Sequence, residues 1–227
     1  WKAQPSAWIL MTQDPKARRG YPEDWLLASS PRTYGYLKRF EHILRDRAAF
    51  RRYFTRKDKN GNLLETAPFY SMFNVGPSVF ASWKVVWTRL AKIEAAVVGL
   101  HAARPIVPQE TVTLVECSIG NEAHYICALV NSLPFQFTAI SYSQESGKSM
   151  GSMHILKHIR IRRFDPKNPV HCRLAELSAA AHEAAASANT NRLHEIEAEI
   201  DRQAAQLWGL TQAELREIQQ SLRELVR

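Results

Sequence analysis

The apolar positions of this chain follow different periods in different stretches. Residues 7–12, Ala-Trp-Ile-Leu-Met-Thr, predict a short strand, residues 14–20 a loop and residues 22–27 a helical turn. From Pro31 the pattern turns helical, because Tyr34, Leu37, Ile43, Leu44 and Phe50 keep mostly helical spacing. Proline suits the first turn, where its missing N–H would have no helical partner. Residues 57–62, Lys-Asp-Lys-Asn-Gly-Asn, predict a turn. Between 69 and 117 the chain reads as strand-rich. The runs 69–73, 84–90, 94–98 and 111–117 are aromatic or β-branched, punctuated by Gly76-Pro77 and Arg104-Pro105.

Helical patterning returns at 121–131, with Tyr125, Ile126, Leu129 and Val130 as its apolar set. Pro134 breaks or restarts it, and Phe135, Phe137 and Ile140 continue an apolar segment. Residues 144–152 form a polar loop containing Gly147 and Gly151. If 158–164 is a strand, His158, Arg160, Arg162 and Phe164 share one face and Ile159, Ile161 and Arg163 the other. At Asn168-Pro169 a cap and a first-turn proline open a helix running into an alanine-rich stretch. A second helix carries Leu193, Ile196, Ile200, Gln203 and Leu207, the spacing of a coiled-coil seam, and stops at Gly209. Thr211 and Glu214 make a capping box for a third, whose Leu215, Ile218, Leu222 and Leu225 repeat the spacing. These helices are expected to pack on each other or on the body, with a partner subunit as the sharper alternative. The fold class is α+β: a mixed sheet with packed helices, followed by a C-terminal helical hairpin. The predicted boundary separates a body, 1–167, from a helical segment, 168–227.

The 227 residues are 45% hydrophobic and 10% aromatic, enough for a real core rather than a disordered tail. No apolar run approaches the roughly 20 residues of a membrane span, and no signal peptide is recognisable. The first residue is Trp1 rather than Met, which reads as a processed product or an excised piece. Three cysteines, Cys117, Cys127 and Cys172, lack CxxC spacing and are odd in number. A disulfide framework is not expected, and a reduced, cytoplasmic protein is. Cys172 beside His171, with His182 beyond, does not complete a zinc set. Net charge is +8, unevenly spread. Residues 168–227 hold six basic and nine acidic residues, so the preceding 167 hold 24 and 13, a net of +11. A basic body points to a polyanionic partner, DNA or RNA.

Catalytic motifs are missing. The nearest string to the Asn/Asp-Pro-Pro-aromatic motif of adenine methylation is Asn168-Pro169-Val170-His171, without the second proline or the aromatic. There is no G-x-G-x-x-G, Walker A or G-x-S-x-G sequence, and no convincing carboxylate cluster for a metal-dependent nuclease. His124, His171 and His182 read as structural. The isolated chain is not expected to be an enzyme.

Read in order, several segments resemble the target-recognition (specificity) domain of TaqI-like adenine-specific DNA methyltransferases of restriction–modification systems. Pro31-x-Thr33-Tyr34-x-Tyr36-Leu37-x-x-Phe40 with Leu44-x-x-Arg47 is similar to that family's tyrosine–leucine then leucine–arginine helix. Phe69-Tyr70, Phe80 and Lys84-Val85-Val86-Trp87 resemble its aromatic strand and lysine–valine–valine strand. Leu129-x-Asn131-Ser132 is similar to its helix end, and Ile155 to Phe164 to its next strand. His171-x-x-Leu174-Ala175-Glu176-Leu177-Ser178-x-x-Ala181-His182 is similar to its closing helix. Arg162 stands where the family has proline, and Ser146-Gly147-Lys148 where it has paired glycines.

The resemblance implies sequence-specific binding of double-stranded DNA beside an upstream methyltransferase domain. That domain would bind S-adenosylmethionine; no cofactor and no metal is assigned to this chain. Turning a base out of the stack requires a module that grips the duplex. Gripping uses basic side chains on phosphates, and reading uses Arg, Lys, Asn or Gln on base edges. Candidate DNA contacts are Lys84, Arg89, Gln144, Lys148, Ser149, Lys157, His158, Arg160 and Arg162. The rival is a protein-interaction module that docks a partner subunit through its C-terminal helices.

Overall fold

The computed structural model describes residues 1–88, 93–109, 111–146 and 153–225. The chain divides into two compact units, one of residues 6–80 and one of residues 1–5 with 81–227. The helices after 168 lie inside the second unit and share its core.

In the first unit β1 (Gln13–Asp14) and β2 (Arg19–Gly20), two residues each, pair as an antiparallel hairpin. Residues 7–12, expected as a strand, are in none. Trp8, Ile9 and Leu10 are exposed, so the apolar run is not core. Four short helices follow: α1 (Glu23–Ser29), α2 (Pro31–Lys38), α3 (Glu41–Asp46) and α4 (Ala48–Tyr53). The continuous pattern from Pro31 to Phe50 is thus broken. At Arg47 the backbone is extended (ψ 133°) between α3 and α4. Its guanidinium donates to the carbonyls of Leu44 (2.9 Å), Phe69 (2.9 Å) and Ser71 (3.0 Å). Gln13 donates to the Tyr70 carbonyl and accepts from the Met72 N–H. Side chains therefore satisfy the 69–72 backbone, and this aromatic segment is not a strand. Phe69 and Tyr70 are buried with Leu26, Phe50 and Phe54 in the unit's core. The hairpin β3 (Thr55–Lys57) and β4 (Leu63–Glu65) brackets the predicted turn.

The second unit is built on an antiparallel sheet of order β6-β5-β9, from β5 (Trp83–Thr88), β6 (Ala96–Val98) and β9 (Val112–Cys117). Between the last two lies a small hairpin, β7 (Leu100–His101) with β8 (Arg104–Pro105). The helices are α5 (Gly120–Asn131), α6 (Leu133–Ser146), α7 (Met153–Leu156), α8 (Pro169–Ala186), α9 (Thr190–Trp208) and α10 (Gln212–Leu225). One core cluster joins Val85 and Trp87 of β5 to Ala123, Cys127 and Val130 of α5, Phe135 and Ala139 of α6 and Ile155 of α7. A second joins Tyr125, Ala128 and Leu129 of α5 to α8 and α9, through Leu174, Ala181, Ile196 and Ile200. The architecture is α+β with C-terminal helices. No described helix is long and apolar enough to cross a membrane.

The expected caps operate. Asn168 accepts from the N–H groups of Val170 and His171, Gly209 ends α9 at φ 73°, and Thr211 and Glu214 bond reciprocally at the start of α10. Leu215 and Leu222 of α10 are buried, and this helix packs on α6 and α9. Those two seam positions of α10 are therefore engaged within the chain.

Polar side chains tie the second unit's layers together. Asn131, at the end of α5, accepts from the Ala95 N–H (2.7 Å) and donates to the Ala95 carbonyl (2.9 Å). Gln136 donates to the Ile93 carbonyl (2.6 Å). Asp201 accepts from the Leu133 N–H (2.8 Å), and burial raises its pKa to about 6. His182 accepts from the Val97 N–H (2.9 Å), so its Nδ1 donates to the Ser178 carbonyl (2.7 Å); burial lowers its pKa to about 4. Trp1 donates to Glu197 and sets its ring edge against His182.

Asn131→Ala strips Ala95 of both partners and is expected to destabilise the protein by about 1–3 kcal/mol. Chemical denaturation with amide exchange at Ala95 checks this. An unchanged midpoint would mean that the sheet edge holds without Asn131.

Candidate nucleic-acid interface

The basic segment that follows α7 is not a strand. Its turn closes where the N–H groups of His158 and Ile159 bond to the carbonyls of Ile155 and Leu156. Beyond that, residues 160–165 pair with no strand, and side chains from three helices hold their backbone. The Trp208 indole donates to the Arg160 carbonyl (3.3 Å). The Tyr125 hydroxyl donates to the Arg162 carbonyl (3.1 Å). His171 Nδ1 accepts from the Asp165 N–H (3.0 Å). Below the strap, Ile159 and Ile161 pack against the sheet-side core, and Phe164 with Ile161 against the helical one.

This clamping fixes which side chains face outward. Lys157, His158, Arg160, Arg162 and Arg163 are exposed, and Phe164 turns partly inward. The expected two-face alternation holds from 159 to 162 and fails at Arg163 and Phe164. Phe164 packs near Tyr125 (ring centroids 5.6 Å apart) instead of sharing the outward face. His158 stacks on half-exposed Tyr142 at 4.8 Å. The result is a cationic ridge whose backbone is hydrogen-bonded to side chains of the core helices at Arg160, Arg162 and Asp165. Such a ridge can bind phosphates without first ordering itself.

Other predicted residues lie elsewhere. Lys84 is 0% exposed on β5, and its ammonium donates to the Ala81 carbonyl at 2.5 Å. Burial lowers its pKa, so it is not an open-surface cation here. The lysine–valine–valine strand is two-sided core, with Val85 and Val86 also buried. Gln144 falls within α6, which runs on to Ser146 where a loop was expected. Arg89, Lys148 and Ser149 lie outside the described residues.

Several basic side chains of the first unit's helices are engaged within it. Lys38 pairs with Glu41, Arg45 with Glu41 and Glu65, and Arg51 with Asp46. Arg47 serves backbone carbonyls, as above. His124 bonds Ser178 (3.1 Å) and sets its ring edge-on to His182, so the histidines belong to packing networks. Burial pushes the thiols of Cys117 and Cys127 up to about 12, which makes poor nucleophiles. Among the described residues no group of three His, Cys, Asp or Glu side chains is placed to hold a metal.

Sequence reasoning missed the clamps. Tyr125 reads as an apolar position of a helix and Trp208 has no predicted role; their partners lie 37 and 48 residues away. Their polar ends are the signal available in sequence, since buried Tyr and Trp usually find a hydrogen-bond partner.

No family model and no solved structure matches the chain. The chain is similar to the Type II methyltransferase M.NspV of a Nostoc species, at 29% identity over 114 residues. That alignment covers 50% of this chain and 21% of the relative, so the chain matches about a fifth of that protein's length.

The clamp is expected to weaken in acid. His171 accepts a proton-bearing N–H, so it must be neutral, and burial lowers its pKa below 6.5. The nearby Asp165 carboxylate opposes that shift and Arg162 reinforces it. The unfolded chain therefore takes up this proton first. The clamp's stabilisation is complete above pH 6.5 and is lost as pH falls through the depressed native value. The protection factor of the Asp165 amide, corrected for the intrinsic pH dependence of exchange, is expected to fall in that window. Tyr125→Phe should loosen Arg162 to Phe164 at neutral pH, at a cost of about 0.5–1.5 kcal/mol. Unchanged exchange in both experiments would remove the clamp from the description.

Proposed function

We propose that this chain is the DNA-gripping, target-recognition part of an adenine-specific DNA methyltransferase of a Type II restriction–modification system. The observation that carries this reading is the clamped ridge of Lys157, His158, Arg160, Arg162 and Arg163. Similarity to part of a Type II methyltransferase supports it. So does the +11 charge of residues 1–167. In this reading the ridge lies along the phosphates of double-stranded DNA, and Lys148 and Ser149 stay candidates for base readout.

The methyl transfer belongs to another part of the parent protein, which would bind S-adenosylmethionine. Among the described residues, the turn from β9 into α5 does not fit that cofactor. Where a strand runs into a helix, Cys117-Ser118-Ile119-Gly120, the single glycine opens α5 and the Ser118 N–H is already bonded to Glu122 (2.8 Å). No step is assigned to it in this chain. The parent protein would work in the reducing cytoplasm, consistent with free thiols at all three cysteines.

The decisive experiment is selection of bound duplexes from a random pool at low and moderate salt, followed by sequencing. A short enriched motif that survives moderate salt is expected. Arg160→Glu with Arg162→Glu should lower affinity for the enriched duplex at least tenfold and flatten the salt slope by about 2. Absence of duplex binding at either salt would overturn the proposal.

A further inference from the structure

The β3–β4 hairpin has the shape and chemistry of a second DNA-contacting element, one the ridge does not account for. Residues 59–66 are all exposed, and so are Arg56 and Lys57 on the opposing strand. Register places Lys57 opposite Leu63 on one face and Arg56 opposite Leu64 on the other. A lone two-stranded ribbon is marginal in water, but this one is pinned at both ends.

At its base, Phe54 is buried in the core, the Thr66 N–H bonds the Phe54 carbonyl (2.8 Å), and Glu65 pairs with Arg45. At its tip, one Asp58 oxygen accepts from the N–H groups of Asn60 and Asn62, both at 2.8 Å. Gly61 takes φ 84°, the left-handed conformation that glycine adopts without strain.

The charge balance follows from these anchors. Of the acids in 55–65, Asp58 serves the turn and Glu65 serves the base. Among the described residues Arg56, Lys57 and Lys59 have no acidic partner. Leu63 and Leu64 stand 66% and 43% exposed on the same ribbon. An exposed ribbon bearing three cations without an acidic partner, an asparagine tip and two exposed leucines matches a nucleic-acid groove better than bulk water. Two strands about 4.8 Å apart with their side chains fit a major groove about 12 Å wide. Cations on either face can reach the two phosphate walls. The leucines can meet sugars and thymine methyl groups, and Asn60 is suited to an adenine edge.

We propose that the Thr55–Glu65 hairpin inserts into the major groove of duplex DNA, with Arg56, Lys57 and Lys59 on the phosphates and Asn60 at the base edges. The inference rests on the DNA-binding reading above and adds an element of the other unit to it.

The test uses the full chain and the random duplex pool. In wild type, Lys57 and Lys59 are acetylated with an amine-reactive reagent, with and without DNA, and mapped by mass spectrometry. Both are expected to be protected severalfold by duplex and hardly at all by poly-glutamate. An Arg56→Ala, Lys57→Ala, Lys59→Ala variant is expected to bind at least tenfold more weakly, with a salt slope reduced by about 2–3. Asn60→Ala should alter the enriched motif. If wild type binds duplex while both lysines stay reactive and the triple variant binds normally, the hairpin inference fails and the DNA-binding reading stands. Equal protection by poly-glutamate would assign the ribbon to acidic surfaces generally and overturn groove insertion. If the triple variant does not fold, lysine protection in wild type decides. If wild type binds no duplex, both readings fall.

Discussion

Helix α5 is buried against the sheet on one side and against α8 and α9 on the other. Ala123, Tyr125, Cys127, Ala128, Leu129 and Val130 are all removed from solvent. A helix in that position has little water to satisfy its polar side chains, and each unpaired buried group costs on the order of 1–3 kcal/mol. Its polar residues are therefore directed at backbone groups or at side chains of neighbouring elements. Asn131 holds Ala95 beside the sheet edge, Tyr125 holds Arg162 in the strap, and His124 meets Ser178 on α8. Much of the second unit is organised by that requirement. The cationic ridge is one of its consequences, because a strap with no strand partner takes its hydrogen bonds from the core helices.

The basic residues divide into two populations on the same physical ground. Arg47 and Lys84 are drawn onto backbone carbonyls, and desolvation lowers the pKa of each. Arg45, Lys38 and Arg51 sit beside carboxylates. Exposed pairs of this kind contribute little to stability, but they remove net positive charge from the first unit's helices. Among the described residues, the strap in one unit and the hairpin in the other each keep a run of exposed cations outside these pairs. The two are built differently. The strap has its backbone fastened to the protein and offers only one side, which suits phosphates. The hairpin is anchored at its ends and exposed on both faces.

Much of this was legible in the chain. Strands at 84, 94 and 111 announced themselves by β-branched runs, and the caps at Asn168, Gly209 and Thr211 by their chemistry, because these signals are local. Outward cations on the strap were legible from alternating apolar positions, even though no strand forms there. Less visible were the breaks in the Pro31 helix, the buried Lys84 and the exposed Trp8 to Leu10. Each depends on what lies across from it, and periodicity carries no information about that. The resemblance to target-recognition domains likewise marked Asn131 and His171 without showing that Asn131 bonds the backbone of Ala95, 36 residues away, or that His171 holds the Asp165 N–H.

Sequence by itself determined the α+β class, the helical C-terminal third, the uneven positive charge and the outward cations of the strap, all of which follow from residue type and local spacing. Only tertiary structure decided that the chain divides near residue 80, that the C-terminal helices share a core with α5, and which cations are free. Those outcomes turn on desolvation and on hydrogen bonds between residues tens of positions apart. Neither is encoded in any short window of the chain.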